Sequence, residues 1–331
     1  MSIQVGFIVL AGLENLKFIK LSRCQSMVCT PDLSCTPNLE ELDLYSCKNL
    51  EHVHESIAYH SKLQFLDLSK CSKLQRFPEI LVRNEGLLEL QLRETSIKEL
   101  PASIENLISL VIVNLTNSKN LAILPSSIYK LQNLEKLVLD GCSKLNKFPK
   151  KEEDLSDPHT KTGFPKLWLL DLRCCHLSEV EFLNSLSSFP RLQSLNLSGN
   201  SFTKLPTFEE LYCLDTLNVS NCQQLQEIPK IPGKLREILA TSCESLSNIP
   251  SNICGVEIVE LYSCQALVRS EFSINDWLKP EKFHCQTSFR VVLPGREMPK
   301  WLLPSKEGYI SFVASKDLYK KILGVAFCIV F

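Results

Sequence analysis

The sequence predicts an α/β solenoid: a curved stack of short repeats with a concave parallel β-sheet and irregular or short-helical segments on the convex side. The pattern L-x-x-L-x-L-x-x-C recurs from "GLENLKFIKLSRC" to position 264 of the 331 residues. Ten intervals between the closing positions of this pattern cover 240 residues, so the mean period is 24. Its apolar residues alternate with other residues, as in a strand that buries one face.

The closing position of the pattern defines eleven units. A period of about 20 to 29 residues with this consensus, and with Asn or Cys at the closing position, is typical of the leucine-rich repeat. Each such unit buries its apolar face only against its neighbours, which produces a curved solenoid. The closing residues are Cys24, Cys47, Cys71, Thr95, Ser118, Cys142, Cys175, Asn200, Cys222, Cys243 and Cys264.

The repeats divide the chain into three segments. Residues 1–12 form a lead-in, residues 13–268 hold about eleven repeats, and residues 269–331 follow them. The interval from Cys142 to Cys175 is long, at 33 residues, and residues 150–163, "KKEEDLSDPHTKTG", are predicted to be an inserted surface loop.

The composition argues against two classes of partner. Charge is balanced, with 36 Lys and Arg against 37 Asp and Glu, so no global field favours nucleic acid or an anionic membrane. No run of about 18 apolar residues predicts a membrane span. The fifteen cysteines are odd in number and dispersed, which favours a reducing compartment.

The cysteines at the closing position raise four alternatives: metal ligands, disulfides, nucleophiles or parts of the scaffold. Thr95, Ser118 and Asn200 replace cysteine there, and these residues share only small size and hydrogen-bonding ability. A structural role is therefore predicted, with no metal, no cofactor and no enzymatic activity. The eight structural cysteines are Cys24, Cys47, Cys71, Cys142, Cys175, Cys222, Cys243 and Cys264.

The residues beside the leucines of each strand are predicted to form three exposed columns on the concave face. They include eight acidic and four basic residues, so a partner surface carrying some Lys and Arg is expected. Aromatic side chains on such a face are candidate anchors. The candidate partner-binding residues are Phe18, Lys20, Glu41, Asp43, Tyr45, Phe65, Asp67, Gln91, Arg93, Asp171, Arg173, Glu260 and Tyr262.

Many units end in C-x-x-L-x-x-hydrophobic-Pro, as in "CSKLQRFP" and "CESLSNIP". This tail resembles the leucine-rich repeats of plant intracellular immune receptors of the TIR-NBS-LRR class. "VVLPGREMPKWL" is similar to the start of the jelly-roll or Ig-like domain that follows the repeats in those receptors, and Trp301 in this motif is a further candidate partner-binding residue. The resemblance implies that residues 269–331 form a β-rich domain of this kind, which is expected to be incomplete because the sequence ends inside a predicted strand.

The resemblance implies a non-enzymatic recognition module of plant innate immunity and the hypersensitive response. Its expected partners are a pathogen effector and an NB-ARC-type switch domain, and the expected location is the cytoplasm, with the nucleus as a second candidate. No G-x-x-x-x-G-K-[ST] motif occurs in the sequence. ATP binding, NAD cleavage and oligomerisation would therefore belong to domains outside it.

Two alternatives stay open on the sequence alone. A ligand-binding ectodomain of a secreted or membrane receptor would use the sequons at Asn114, Asn196 and Asn218 for glycosylation. A ubiquitin ligase could use the repeats to select substrates, with its catalytic or adaptor domain elsewhere.

Overall fold

A computed structural model describes residues 13–151, 163–250 and 256–269, together with three short strands in the C-terminal segment. The chain divides into two compact units, Met1–Ser194 and Leu195–Phe331. The two units are described separately below.

Seven strands of the first unit pair in parallel and in chain order. Their register aligns equivalent positions of successive repeats, for example Leu42 with Leu66 and Leu66 with Leu90. A further strand, β8 (Ser194–Asn196), spans the division between the units. The seven strands are β1 (Phe18–Lys20), β2 (Glu41–Asp43), β3 (Phe65–Asp67), β4 (Glu89–Gln91), β5 (Ile112–Asn114), β6 (Lys136–Val138) and β7 (Leu169–Asp171).

The second unit continues the same repeat. Strands β9 (Thr216–Asn218), β10 (Glu237–Leu239) and β11 (Ile258–Glu260) pair in parallel, and β12 (Arg290–Val292) pairs in parallel with β11. A five-residue helix, α1 (Gln265–Arg269), follows β11. In the segment predicted to be a β-rich domain, β13 (Leu302–Pro304) and β14 (Ile310–Phe312) form an antiparallel pair.

The leucines of each strand form the core. The middle residue of every strand from β1 to β11 is buried, and from β2 onward its two neighbours are half-buried. Leu44 and Leu68, which follow their strands, are also fully buried. This alternation confirms the fold class that the leucine spacing predicts, a parallel-strand solenoid.

The segments opposite the strands contain short 3₁₀-helices and irregular backbone, as predicted. Pro101 and Pro125 each precede one of them, since proline fixes a φ angle that is compatible with the first turn of a helix. In the described part of the chain these helices span Glu55–Tyr59, Ala102–Asn106, Ser126–Lys130, Glu181–Asn184 and Leu186–Ser188.

A cluster of aromatic rings fills the core beside the long interval. Tyr129 lies at its centre, with its ring 4.8 Å from that of Phe164 and 6.2 Å from that of Phe148. The backbone N–H of Gly163 donates to the carbonyl of Tyr129 at 2.8 Å, so the residues that flank the predicted loop are joined to this cluster. Residues 152–162 of the loop lie outside the described residues.

Candidate recognition surface

Every repeat turns sharply at the end of its strand. The residue immediately before the closing position has a φ between +52° and +74° in all eleven repeats, which is the left-handed region. Glycine holds this place only at Gly141 and Gly199. The other nine residues are Arg23, Ser46, Lys70, Glu94, Asn117, Cys174, Asn221, Ser242 and Ser263.

The closing residue of most repeats is buried and bonds to the preceding repeat, whereas Thr95 and Asn200 bond to a carbonyl of their own repeat. Cys71 Sγ donates to the Leu44 carbonyl at 3.3 Å, and Cys142 Sγ to the Leu115 carbonyl at 3.2 Å. Ser118 does the same with its hydroxyl, whose distance to the Leu92 carbonyl is 2.7 Å. Equivalent contacts of 3.0 to 3.2 Å are made by Cys47, Cys175, Cys222, Cys243 and Cys264.

Burial keeps the thiols of Cys71 and Cys142 protonated. Loss of solvation raises the pKa of Cys71 and that of Cys142 to about 12, so both carry their proton at neutral pH. A protonated, buried thiol is a weak nucleophile and a poor metal ligand. The structure thus places these cysteines as hydrogen-bond donors between neighbouring turns.

The last residue of many strands caps the same turn with its side chain. Asp43 Oδ1 accepts the N–H of Tyr45 at 2.8 Å, and Asp67 Oδ1 accepts the N–H of Ser69 at 2.7 Å. Asp171 Oδ1 accepts the N–H of Arg173 at 3.0 Å. These three carboxylates were predicted to bind a partner, and each has a structural role in its turn as well.

Four successive repeats of the first unit enclose a pocket of about 330 Å³ on the exposed strand face, which we call the strand-face pocket. It brings together five of the predicted binding residues, Tyr45, Phe65, Asp67, Gln91 and Arg93. Four residues absent from the predicted set complete its lining, namely Ser69, Lys70, Glu89 and Asn114.

The charged groups of the pocket are two acidic and two basic residues. Lys70 Nζ lies 5.5 Å from the centre of the Tyr45 ring and 3.7 Å from Glu94 Oε1. Contact with the Tyr45 side chain, followed by the Glu94 carboxylate, raises the pKa of the Lys70 ammonium. Glu89 Oε1 accepts a 2.7 Å hydrogen bond from the Gln91 amide.

Sequence reasoning missed Lys70 because it considered only three outward columns. Lys70 occupies the left-handed position one residue beyond those columns, as Glu94 does in the next repeat. The signal for it was the residue before each closing position, which is exposed in several repeats, for example at Arg23 and Glu94.

The remaining predicted residues lie elsewhere. Phe18 and Tyr262 are 54% and 49% exposed, whereas Glu260 is half-buried on β11. Lys20 Nζ lies 3.0 Å from Glu41 Oε1, so these two predicted binding residues pair with each other. Trp301 lies outside the described residues.

Asp32, His54 and Ser56 resemble a catalytic triad in composition but not in geometry. Ser56 Oγ and Asp32 Oδ1 both approach the same ring nitrogen of His54, Nδ1, at 2.9 and 3.8 Å. Nδ1 also accepts the backbone N–H of Ser56, so His54 caps the helix Glu55–Tyr59. A proton relay needs the two partners on opposite ring nitrogens, and this cluster lacks that arrangement.

Within the described ranges, no three His, Cys, Asp or Glu side chains are arranged to hold a metal ion. No helix in those ranges is both long enough and apolar enough to cross a bilayer.

Comparison with solved structures supports the fold. The leucine-rich repeat domain of the type III effector XCV3220 (XopL) superposes with a TM-score of 0.56 at 22% sequence identity, covering 69% of this chain and 75% of that one. Solenoids of this kind present extended surfaces for binding other proteins.

Comparison with curated proteins supports a narrower assignment. TMV resistance protein N of Nicotiana glutinosa is 30% identical over 290 residues, which cover 68% of this chain and 25% of that protein. Disease resistance protein RPS4B of Arabidopsis thaliana is 27% identical over 340 residues, covering 95% of this chain and 27% of that protein. The chain thus spans about a quarter of the length of these relatives.

A family model described as "Disease resistance protein RPS4B-like, leucine-rich repeats" matches residues 59–270, well over half of the chain. The repeat tails and the motif at 291–302 indicated receptors of the TIR-NBS-LRR class, and the relatives confirm that resemblance. The chain therefore belongs to the leucine-rich repeats of RPS4B-like plant disease resistance proteins.

Proposed function

We propose that the chain recognises a pathogen effector protein on its strand face and, through that contact, regulates an NB-ARC-type nucleotide-binding switch domain. The observation that supports this most is the strand-face pocket, in which aromatic and charged side chains from consecutive repeats converge. Pockets that combine aromatic anchors with charged groups are typical of the energetic centres of protein interfaces.

The first strand is the proposed contact for the switch domain. In the described sheet β1 is an edge strand, and Phe18 on it is more than half exposed beside Lys20. An exposed aromatic side chain at the end of a repeat array is a suitable anchor for a neighbouring domain. We further propose that Tyr262, Glu260 and Trp301 contribute to effector contacts.

We propose the cytoplasm as the location, with the nucleus as a second candidate. The cysteines at the closing positions support a reducing compartment, because a thiol can donate the S–H hydrogen bonds described above and a disulfide sulfur cannot. The ectodomain alternative is less well supported. Asn114 and Asn196, the acceptor residues of two sequons, use their side-chain oxygens to cap turns at 3.1 Å.

A direct binding measurement tests the proposal. Effector proteins from plant pathogens would be screened against the full chain by surface plasmon resonance. An effector of this receptor should bind the native chain and lose affinity for Tyr45→Ala and for Phe65→Ala, since both rings line the pocket.

Tyr59→Ala is a matched control for that measurement. Tyr59 is 54% exposed in the first unit but lies on the 3₁₀-helix Glu55–Tyr59 rather than on a strand. Effector binding that depends on Tyr59 and is indifferent to Tyr45 and Phe65 would contradict recognition on the strand face.

A further inference from the structure

Arg93 is the one charged residue of the strand-face pocket without a bonded partner among the described residues. Its side chain is exposed, and it forms no hydrogen bond or ion pair within the parts of the chain that the structure describes. Two other exposed arginines are each paired with an aspartate. Arg173 holds Asp140 with two hydrogen bonds, and Arg236 holds Asp215 in the same manner.

The other charges of the pocket are already engaged. Asp67 caps the turn at Ser69, and Glu89 accepts a hydrogen bond from Gln91. Lys70 lies between Tyr45 and Glu94. Both carboxylates of the pocket thus already accept a hydrogen bond, whereas an incoming anion finds a guanidinium whose donors are all unused.

The position of Arg93 within the pocket also favours an anion. Arg93 and Lys70 both follow their strands, so the two cations lie at the same edge of the pocket. Glu89 begins its strand, four residues before Arg93, which lies in the turn after the strand. The ring of Phe65 belongs to the apolar part of the lining, where the stem of a partner side chain can pack.

We propose that Arg93 binds a carboxylate of a protein partner, an Asp or Glu side chain that enters the strand-face pocket from an exposed segment. The planar guanidinium matches a carboxylate with two parallel N–H···O bonds, as Arg173 demonstrates with Asp140 in this same chain. This inference rests on the proposed function and specifies its chemistry. It also reverses, for this pocket, the expectation that the partner supplies Lys or Arg.

The test is a selection of displayed random peptides on the full chain, followed by titration of individual synthetic peptides. Selected peptides should contain an acidic residue. Replacing that Glu by Gln, or changing Arg93→Gln in the protein, should weaken binding about 10-fold to 100-fold, the range for a lost charge-assisted hydrogen bond.

Combining the two changes should weaken binding no further than either one alone, because both remove the same bond. Arg83→Gln is the matched control, since Arg83 is an exposed arginine outside the strands, 3.5 Å from Glu85. It should leave peptide affinity unchanged.

Two results would overturn the proposal in distinguishable ways. If the peptides lose affinity for Phe65→Ala but bind Arg93→Gln as well as they bind the native chain, the proposed carboxylate contact is excluded. Recognition on the strand face would still stand. A selection that yields no peptide sensitive to Phe65→Ala would remove the pocket as a binding site, and with it the proposed function.

Discussion

The guanidinium of Arg173 forms two hydrogen bonds with the Asp140 carboxylate, from Nε to Oδ1 at 2.8 Å and from Nη2 to Oδ2 at 2.6 Å. These residues belong to consecutive repeats that are separated by the longest interval in the array. The pair therefore connects the two turns on either side of the insertion.

Breaking this pair should have a measurable but small effect on stability. We expect a double-mutant cycle of Asp140→Asn and Arg173→Gln to give a coupling free energy of about 1 kcal/mol, because Arg173 is half exposed although Asp140 is not. The coupling, measured by urea unfolding, should decrease in 1 M salt. A coupling of zero at low salt would show that the pair does not stabilise the folded chain.

Leu44→Ala should destabilise the chain by about 2 to 5 kcal/mol, because Leu44 is fully buried and its loss leaves a cavity. Asp43→Ala should cost about 0.5 to 2 kcal/mol, since it removes only the cap on the Tyr45 N–H. Chemical denaturation of the two variants would compare them. A larger loss for Asp43→Ala than for Leu44→Ala would contradict the assignment of these residues to the exposed and buried faces.

The buried thiol of Cys71 should resist alkylation in the folded protein. Burial raises the pKa of Cys71 to about 12, so almost none of it is thiolate at pH 8, whereas Cys174 and Cys213 are exposed. Iodoacetamide labelling mapped by mass spectrometry should modify Cys174 and Cys213 first and Cys71 only after denaturant is added. Equal labelling rates for Cys71 and Cys213 would contradict the structure.

His60 should contribute to acid sensitivity. It is buried, its Nε2 has no hydrogen-bond partner in the described structure, and burial lowers its pKa against weaker opposing effects of the Leu33 backbone and Asp32. As pH falls below about 6.5, the unfolded chain binds a proton that the folded chain binds only at lower pH. Stability is therefore lost as the solution is acidified.

The measurement for His60 is the difference in unfolding free energy between pH 7.5 and pH 5.5. His60→Leu should show a smaller difference than the native chain, whatever its stability at pH 7.5. An unchanged difference would exclude His60 as a source of the pH dependence.

Ser242→Gly should stabilise the chain by about 0.5 to 1 kcal/mol, because Ser242 holds a φ of +56° that glycine adopts without a steric penalty. Ser242→Val should have the opposite effect, since a β-branched side chain is disfavoured in the left-handed region. Thermal unfolding of both variants would test this order. A destabilised glycine variant would show that the side chain of Ser242 contributes more than its backbone strain costs.

The fold was predictable because one physical constraint repeats in every unit. The pairs Leu42/Leu44 and Leu66/Leu68 fix which side of each strand is buried, and the structure has β2 and β3 at those positions. A shift of one residue would have exposed every leucine, so the phase of the strands followed from periodicity alone.

The candidate site was predictable only in part, because contacts between repeats decide which of its charged side chains are already paired. The position of the half-buried Tyr45 and Phe65 on the strand face follows from alternation. The pairing of Arg173 with Asp140 depends on how the chain passes the long interval. The unpaired state of Arg93 likewise depends on which neighbouring carboxylates are already bonded, and spacing along the sequence carries no information about that.

The bond from Cys71 to the Leu44 carbonyl, repeated along the array, has a consequence for inheritance. Each thiol donates only to a carbonyl of the repeat immediately before it, so none of these hydrogen bonds depends on a residue two repeats away. Removal or duplication of one complete repeat by unequal recombination would therefore restore the same contact at the new junction. A receptor built in this way can change the length and composition of its binding surface in a single genetic event without redesigning its core.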